Sequence, residues 1–309
     1  MAAAPDIVTL DTVMLGEPGI TGTFLVRGER TALVETGPKS SVDNVLRGLA
    51  DAGVEQLDVL APTHVHLDHA GAAGTLAELF PAATVAVHEV GAPHLIDPSK
   101  LWSSAARIYG DEMERMWGGI DPLPPSRVQP LADGDVIDLG GPVLRAIATP
   151  GHASHHHAFL EETSRTVFAG DALGVRLPDL GVVRPATPPP EFDLEAALAS
   201  IDRIAALEAE RLVLTHFGAS DAGVEGLSPA EMCERAAEAL RRWAEWARRA
   251  REEGSDLSDA TRAVERLARS DLEAPLSDEE VQRLEKTTTY SMNSWGLMRY
   301  LEKAEAARA

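Results

Sequence analysis

The sequence contains a single cysteine, Cys233, among 309 residues. A disulfide within the chain and a zinc site built from several cysteines are therefore excluded. Long apolar runs are also missing, since no stretch approaches the roughly 18 consecutive apolar residues that span a membrane. Residues 1–19 lack the basic start and apolar segment of a secretory signal peptide. From these absences we expect a protein of the cytoplasm that has no membrane partner.

Basic residues are scarce as well. The chain carries 28 Lys and Arg against 49 Asp and Glu, which gives a formal net charge of −21. Nucleic-acid binding needs clustered Lys and Arg to neutralise phosphates, so we do not expect a nucleic-acid partner. Hydrophobic residues make up 44% and charged residues 25% of the chain, which is typical of folded rather than disordered proteins. We therefore expect a folded protein. The partner we expect for it is a small-molecule substrate.

Apolar, strand-like runs end abruptly at polar residues of the kinds that bind metal ions. The runs are residues 57–63 before His64, 143–149 before Pro150-Gly151-His152, 166–169 before Gly170-Asp171, and 211–215 before His216. Helical patterns lie between some of them, at residues 70–79 and 194–207. Strands mixed with helices predict an α/β fold, in which ligands bind along one edge of the sheet where the strands end.

Beyond residue 225 the composition shifts to Ala, Glu and Arg. Ser228 and Ser277 each begin a capping box, a sequence pattern that starts a helix. We therefore divide the chain into a catalytic domain at residues 1–224 and a C-terminal helical extension at residues 225–309.

The most informative stretch is Thr63-His64-Val65-His66-Leu67-Asp68-His69-Ala70-Gly71, which holds three of the ten histidines. Clustered imidazoles repel one another when protonated, and buried ones leave nitrogens unpaired. A metal ion resolves both problems. Alternate residues of an extended segment point the same way, so His64 and His66 can reach one ion. Asp68 and His69 follow where the chain turns and can face a second ion.

This motif resembles the signature of the metallo-β-lactamase-fold hydrolase superfamily. Thr149-Pro150-Gly151-His152, Phe168-Ala169-Gly170-Asp171 and Leu214-Thr215-His216-Phe217-Gly218 are similar to that family's later metal motifs, in the same order. The resemblance covers residues 1–220. It implies an αββα sandwich of the metallo-β-lactamase type, here with a C-terminal helical extension. It also implies two divalent ions, with zinc expected first and iron or manganese as alternatives. By the resemblance, His64, His66 and His152 bind one ion, Asp68, His69 and His216 bind the second, and Asp171 bridges them.

Several features indicate a branch of the superfamily or depart from its usual pattern. The later motifs and C-terminal helices are similar to those of glyoxalase II, in which a helical domain helps to bind the thiol part of a thioester. Residues 94–102 resemble a less characterised prokaryotic branch. Glu35 stands where the superfamily usually has aspartate in Asp-Thr-Gly, and it either supports the metal ligands from behind or only shapes a turn. His156 has the same two alternatives, support or a polar loop position. We expect His88, His94, His155 and His157 to be incidental.

The resemblance implies a hydrolase in which a metal-bridging hydroxide attacks a thioester, lactone or other carboxylic ester. Asp68 would also be catalytic, by orienting the nucleophile or moving a proton. A mononuclear iron oxygenase of the persulfide dioxygenase type is the alternative, because it keeps nearly the same residues. A non-catalytic metal-dependent binding protein is less favoured, and a homodimer is possible.

The substrate pocket can be outlined from the remaining large side chains. A tyrosine near the metals is expected to donate a hydrogen bond to a substrate carbonyl. Two arginines follow Asp171, Arg176 and Arg184, and they either meet an anionic substrate or lie on a solvated face. Seven large side chains are candidates for its apolar walls, although for each one packing in the core is the favoured alternative: Trp102, Tyr109, Met113, Trp117, Tyr290, Met292 and Trp295.

Overall fold

The computed structural model describes residues 6–221 and 227–307. The first half of the chain alternates strands with helices. Its elements are β1 (Asp6–Asp11), β2 (Gly22–Arg27), β3 (Thr31–Val34), α1 (Val42–Asp51), β4 (Val59–Ala61), α2 (Leu67–Ala70), α3 (Ala73–Leu79), β5 (Thr84–His88), α4 (Ala92–Ile96), α5 (Ser99–Tyr109), α6 (Met113–Trp117) and β6 (Val128–Leu131). The strands form one six-stranded sheet in the order β1-β2-β3-β4-β5-β6, antiparallel from β1 to β3 and parallel from β3 to β6.

A second six-stranded sheet follows. Its strands and helix are β7 (Val136–Asp138), β8 (Val143–Ala148), β9 (His157–Glu161), β10 (Thr166–Gly170), α7 (Leu194–Ala205), β11 (Arg211–Leu214) and β12 (Gly218–Asp221). The order is β12-β11-β10-β9-β8-β7, with β10 parallel to β11 and the other neighbours antiparallel.

The two sheets pack face to face because their strands are apolar on both sides. Phe24 of β2 and Phe168 of β10 meet between the sheets, with ring centroids 5.7 Å apart. The next residue along β2, Leu25, points the opposite way into a second core that it shares with α1 and α3. On the far sheet, Val167 and Leu212 point outward into a third core with α7 and the C-terminal helices. Alternation along each strand thus builds helix, sheet, sheet and helix layers, which confirms the predicted α/β sandwich.

The end of β1 departs from the sequence expectation. The apolar pattern predicts a strand over residues 7–15, but β1 ends at Asp11. Its carboxylate accepts the N–H of Val13 at 2.8 Å and the N–H of Gly19 at 2.7 Å, which stabilises a turn. Val13 and Leu15 then adopt positive φ angles of 46° and 56°, which no extended strand contains. A local side-chain hydrogen bond here overrides strand propensity.

Four helices complete the structure: α8 (Pro229–Glu252), α9 (Leu257–Ser270), α10 (Asp278–Glu285) and α11 (Tyr290–Ala306). Both predicted capping boxes are present, at Ser228 and Ser277. Helix α8 packs against α7, α9 and α11. The predicted boundary between residues 224 and 225 lies outside the described residues. Within residues 6–221 and 227–307, no helix combines the length and apolar character needed to cross a membrane.

Arg184 ties the C-terminal helices to the segment after β10. Its side chain is 0% exposed, and it donates to Glu273 at 2.9 and 3.0 Å and to the Thr288 carbonyl at 2.9 Å. It also pairs with Glu285, and its guanidinium lies 4.3 Å from the centre of the Tyr290 ring. The expectation that Arg184 meets a substrate is therefore wrong, because buried acids of the C-terminal helices use its charge. Arg176, the other candidate, is buried as well.

Arg184→Met should lower the free energy of unfolding by about 3–5 kcal/mol, because Glu273 would keep a buried charge without its partner. The shift in the urea midpoint, followed by circular dichroism, measures this. The matched control is Arg241→Met at an exposed position of α8, which should change stability by no more than about 0.5 kcal/mol. Equal, small effects of the two substitutions would contradict the structural role of Arg184.

Candidate metal centre

The seven predicted metal-binding side chains meet at one edge of the two sheets. His64 and His66 follow β4, and Asp68 and His69 lie in the short α2. The other three, His152, Asp171 and His216, follow β8, β10 and β11. The register of β10 shifts between Phe168 and Gly170, and such a bulge re-aims the side chain that follows it, here Asp171. The structure thus brings all seven predicted residues together.

His64, His66 and His152 form a first group. His66 Nδ1 lies 2.8 Å from His64 Nε2 and 3.0 Å from His152 Nε2. The Nδ1–H of His152 donates to the Ala186 carbonyl at 3.0 Å, and that of His64 donates to Thr63 Oγ1 at 3.1 Å. A neutral ring that donates through Nδ1 carries a bare lone pair on Nε2. These lone pairs converge in the group, which is the arrangement a cation satisfies.

Asp68, His69 and His216 form a second group, with Asp171 between the two. His216 donates through Nδ1 to the Ile20 carbonyl at 3.0 Å, and its Nε2 lies 3.2 Å from Asp68 Oδ2. His69 Nε2 lies 3.6 Å from the same oxygen and 3.4 Å from Asp171 Oδ1. The other oxygen of Asp171, Oδ2, lies 3.5 Å from His152 Nε2 of the first group. Each oxygen of Asp171 therefore faces a different group.

Two atoms at the centre of this arrangement lack partners. His69 Nε2 and Asp171 Oδ1 are buried and make no hydrogen bond to any residue that the structure describes. An unsatisfied buried polar atom is costly. The ligand atoms of three sets lie within 4.8 Å of one another: His64, His66 and His152; His64, His69 and Asp171; and Asp68, His69 and His216. The residues therefore fit metal ions, which would satisfy both orphaned atoms.

The protonation states agree with this fit. Burial and the neighbouring imidazoles hold the pKa of His64 and of His66 well below the usual value, so both rings are neutral. Burial opposes the charge on Asp68, but His69 and His216 hold the pKa of Asp68 at about 2. Burial also opposes a charge on His69, yet the carboxylates led by Asp171 raise the pKa of His69. The carboxylates at the second group therefore attract positive charge, which a divalent cation would supply.

Glu35 lies behind the second group. Its carboxylate is fully buried and accepts hydrogen bonds from Thr63 N–H at 3.0 Å, Thr63 Oγ1 at 2.7 Å, Thr215 Oγ1 at 2.8 Å and His69 Nδ1 at 3.0 Å. These partners come from the ends of β4 and β11 and from α2. Of the two alternatives for Glu35, the structure favours support from behind, since the carboxylate fixes the tautomer and orientation of His69.

His156 supports Asp171 in a similar way. Its Nδ1 lies 2.7 Å from Thr149 Oγ1, and its Nε2 accepts the backbone N–H of Asp171 at 3.1 Å. Gly170 allows this approach, because a Cβ at that position would lie 2.6 Å from His156 Nε2. Its φ of 52° also disfavours a side chain. The support alternative for His156 therefore agrees with the geometry.

Asn293 of α11 supports the first group, although it is not among the site residues predicted from the sequence. Its Nδ2 donates to the Pro185 carbonyl at 2.8 Å, and its Oδ1 accepts the N–H of Thr187 at 2.8 Å. The backbone is thus held on both sides of Ala186, whose carbonyl accepts the hydrogen bond from His152. A C-terminal helix therefore helps to orient a residue of the first group. A single asparagine inside a helix offers no sequence signal of such a role.

A cavity of about 410 Å³ opens beside the two groups. Tyr109, Trp117 and Met292 line it, which agrees with the wall alternative and not with the favoured core packing. His94 and His155, which we expected to be incidental, line it as well. The remaining wall candidates lie elsewhere. Tyr290 stacks on Trp243 with ring centroids 5.7 Å apart and is buried. Trp102 and Met113 pack in the core shared with the C-terminal helices, and Trp295 lines a smaller neighbouring cavity.

Comparison with known proteins identifies the family. The sequence pattern of the metallo-beta-lactamase superfamily matches residues 16–216. A metallo-beta-lactamase fold-containing protein of Sulfurisphaera tokodaii is 30% identical over 206 residues, which cover 65% of this chain and 74% of that protein. The chain therefore belongs to the metallo-β-lactamase superfamily.

Solved structures show the same fold. An archaeal metallo-beta-lactamase superfamily protein from Sulfolobus tokodaii superposes with a TM-score of 0.70 at 24% identity, over 96% of this chain and 99% of that one. A metallo-beta-lactamase family protein from Thermus thermophilus superposes with a TM-score of 0.68 at 22% identity, over 97% of this chain and 94% of that one. Both likenesses extend through the C-terminal helical region.

A curated relative adds a chemical class. An atrochrysone carboxyl ACP thioesterase of Pseudocercospora fijiensis is 29% identical over 156 residues, which cover 50% of this chain. The match spans 37% of that relative's length. Together with membership of the superfamily, this relative identifies the chain as a hydrolase, and the fold normally binds metal ions at clusters such as the two described above.

Asn293→Ala should weaken metal binding at the first group by about 10–100-fold, because the Ala186 carbonyl would no longer be held against His152. The second group should change less. Titration of metal-free protein with zinc, read by calorimetry and by elemental analysis after dialysis, measures the two affinities. Ser294→Ala is the matched control, since its buried hydroxyl makes no hydrogen bond to the described residues. Unchanged affinity at both groups in Asn293→Ala would contradict this role.

Proposed function

We propose that the chain is a dinuclear metal hydrolase that cleaves a thioester. The observation that carries this proposal is the division of Asp171 between two complete groups of ligand atoms. In the proposed assignment the metal-binding residues are His64, His66 and His152 for one ion, Asp68, His69 and His216 for the other, and Asp171 for both. The bound ions would activate water and polarise the scissile carbonyl, with zinc expected first.

The thioester is favoured over the lactone and other carboxylic esters by two observations. The cavity beside the groups has an apolar wall that includes Trp117 and Met292, which suits an acyl chain. The named ACP thioesterase among the relatives acts on the same class of bond. The cytoplasmic location, the homodimer and the absence of nucleic-acid and membrane partners stay predictions from the sequence.

Asp68 and Tyr109 are the residues of this chain that we assign to the chemistry. Asp68 is partly exposed and lines the cavity, so its carboxylate can orient the attacking water and accept its proton. Burial, with a smaller effect of the charges on Asp68 and Asp171, raises the pKa of Tyr109, which therefore keeps its proton. The Tyr109 hydroxyl contacts only the weak acceptor Met292 Sδ at 3.6 Å among the described residues. A substrate oxygen can replace that contact and receive the hydrogen bond.

Metal content and substrate turnover test the proposal together. Elemental analysis should find two divalent ions per chain, and the loaded protein should hydrolyse acyl thioesters faster than the matching lactones and oxygen esters. Protein stripped by a chelator should be inactive and recover when metal is restored. One iron per chain with oxygen uptake on glutathione persulfide would instead establish the persulfide dioxygenase alternative. Two bound ions without turnover of any ester would favour a binding protein.

Tyr109→Phe should lower kcat by about 100-fold with unchanged metal content, because it removes a hydrogen-bond donor to the developing oxyanion. Steady-state kinetics on a thioester, paired with elemental analysis, measures both quantities. Tyr300→Phe is the matched control, since the Tyr300 hydroxyl contacts Glu195 and does not line the cavity. A kcat within twofold of the unmodified protein would remove Tyr109 from the mechanism.

A further inference from the structure

A second cavity of about 110 Å³ adjoins the large one. The two share lining residues of α5, among them Arg107 and Ile108, and the Pro189-Pro190 turn. Trp295 and Arg299 of α11 complete the smaller cavity. It therefore lies between a helix of the catalytic half and the last helix of the chain, and continues the space that begins at the metal-binding residues.

The charge in this second cavity differs from that of the protein as a whole. Arg107 and Arg299 are exposed, and neither pairs with a carboxylate among the residues that the structure describes. Other arginines of the C-terminal helices do pair, as Arg242 does with Asp271 and Arg251 with Glu305. In a chain of net charge −21, two arginines without acidic partners on one small cavity leave a local positive site.

The side facing the large cavity extends this pattern. Lys100 lines the large cavity about two helical turns before Arg107, so both lie on the same face of α5. Glu191 is the acidic residue that lines the large cavity at the Pro189-Pro190 turn. Its carboxylate accepts hydrogen bonds from Ser154, from the hydroxyl at 2.6 Å and from the N–H at 3.2 Å, and among the described residues it makes no ion pair with either arginine. The two arginines thus remain available to an anionic ligand.

We propose that the cavity of Arg107, Trp295 and Arg299 binds the phosphate of a phosphopantetheine thiol arm, carried by the thioester substrate. This rests on the proposed function. The thioester carbonyl would lie at the metal-binding residues, the arm would follow the wall formed by α5, and the phosphate would reach the two guanidinium groups. Guanidinium groups donate paired hydrogen bonds to phosphate oxygens, and two of them can use the several acceptor oxygens of one phosphate group. Trp295 supplies a flat apolar surface beside the charge.

The test compares two thioesters that share one acyl group and differ only in phosphate: acyl-pantetheine 4′-phosphate and acyl-pantetheine. With the metal-loaded protein, the phosphorylated compound should have a KM lower by at least about tenfold, at similar kcat, because it gains charge-assisted hydrogen bonds. The double variant Arg107→Gln/Arg299→Gln should abolish that difference. Arg241→Gln, an exposed arginine outside both cavities, should preserve it.

Calorimetric measurement of how the protein binds the thiol products tests the phosphate site independently of hydrolysis. Pantetheine 4′-phosphate and pantetheine carry the same thiol, so any contact of sulfur with metal cancels in the comparison. Phosphate-dependent binding that the double variant loses would support the phosphate site even if no thioester were hydrolysed. Hydrolysis with equal KM for both thioesters would overturn the phosphate site and leave the proposed function standing.

The source of the arm is decided by two further substrates, acyl-coenzyme A and an acyl carrier protein, which present the same phosphopantetheine group. If either one has a lower KM than acyl-pantetheine and the double variant loses that difference, the phosphate site is supported and the source of the arm is identified. A glutathione thioester offers carboxylates in place of phosphate. If it has the lowest KM of the panel and that preference is lost in the double variant, the site binds carboxylate and the proposal is wrong.

Discussion

The buried carboxylate of Glu35 is the constraint on which the arrangement of the metal centre depends. It lies at the end of β3 and accepts hydrogen bonds from both sheets and from α2. A charged group without solvent is tolerated only when its oxygens are fully used. Here that requirement brings Thr63, Thr215 and His69 to fixed positions, and the metal-binding side chains follow from those positions. Glu35 is one methylene longer than the usual aspartate, and its carboxylate makes every one of these contacts.

Other residues of the centre are also held by hydrogen bonds from behind. His69 is held by Glu35, Asp171 is held by His156, and His152 is held by the Ala186 carbonyl. Each support comes from a different segment, so the geometry of the centre integrates most of the fold. Candidate ligands placed in this way are preorganised, and their partners determine both tautomer and direction.

Local patterns explain which features the sequence predicts correctly. The seven candidate ligands could be expected to converge because their segments follow apolar runs, and strand ends in such folds meet at one edge. The structure does bring them together. Arg184 was misassigned because its partner Glu273 lies 89 positions away, a pairing that no local pattern encodes. Tyr290 packs in the core, as favoured, and its neighbours there are Arg184 and Trp243. The role of Asn293 depends on two backbone groups more than a hundred positions earlier, and was equally invisible.

Because Asn293 holds the segment around Ala186, the position of His152 depends on the folding of α11. The candidate ligands His64 and His66 follow β4 and stand far earlier in the sequence than α11. The support that orients His152 is complete only once α11 has been made and docked. A metal ion that arrives during synthesis therefore meets an incomplete set of ligands. Correct orientation of His152 therefore comes after the docking of α11, so that the first group is completed by folding of the C-terminal helices.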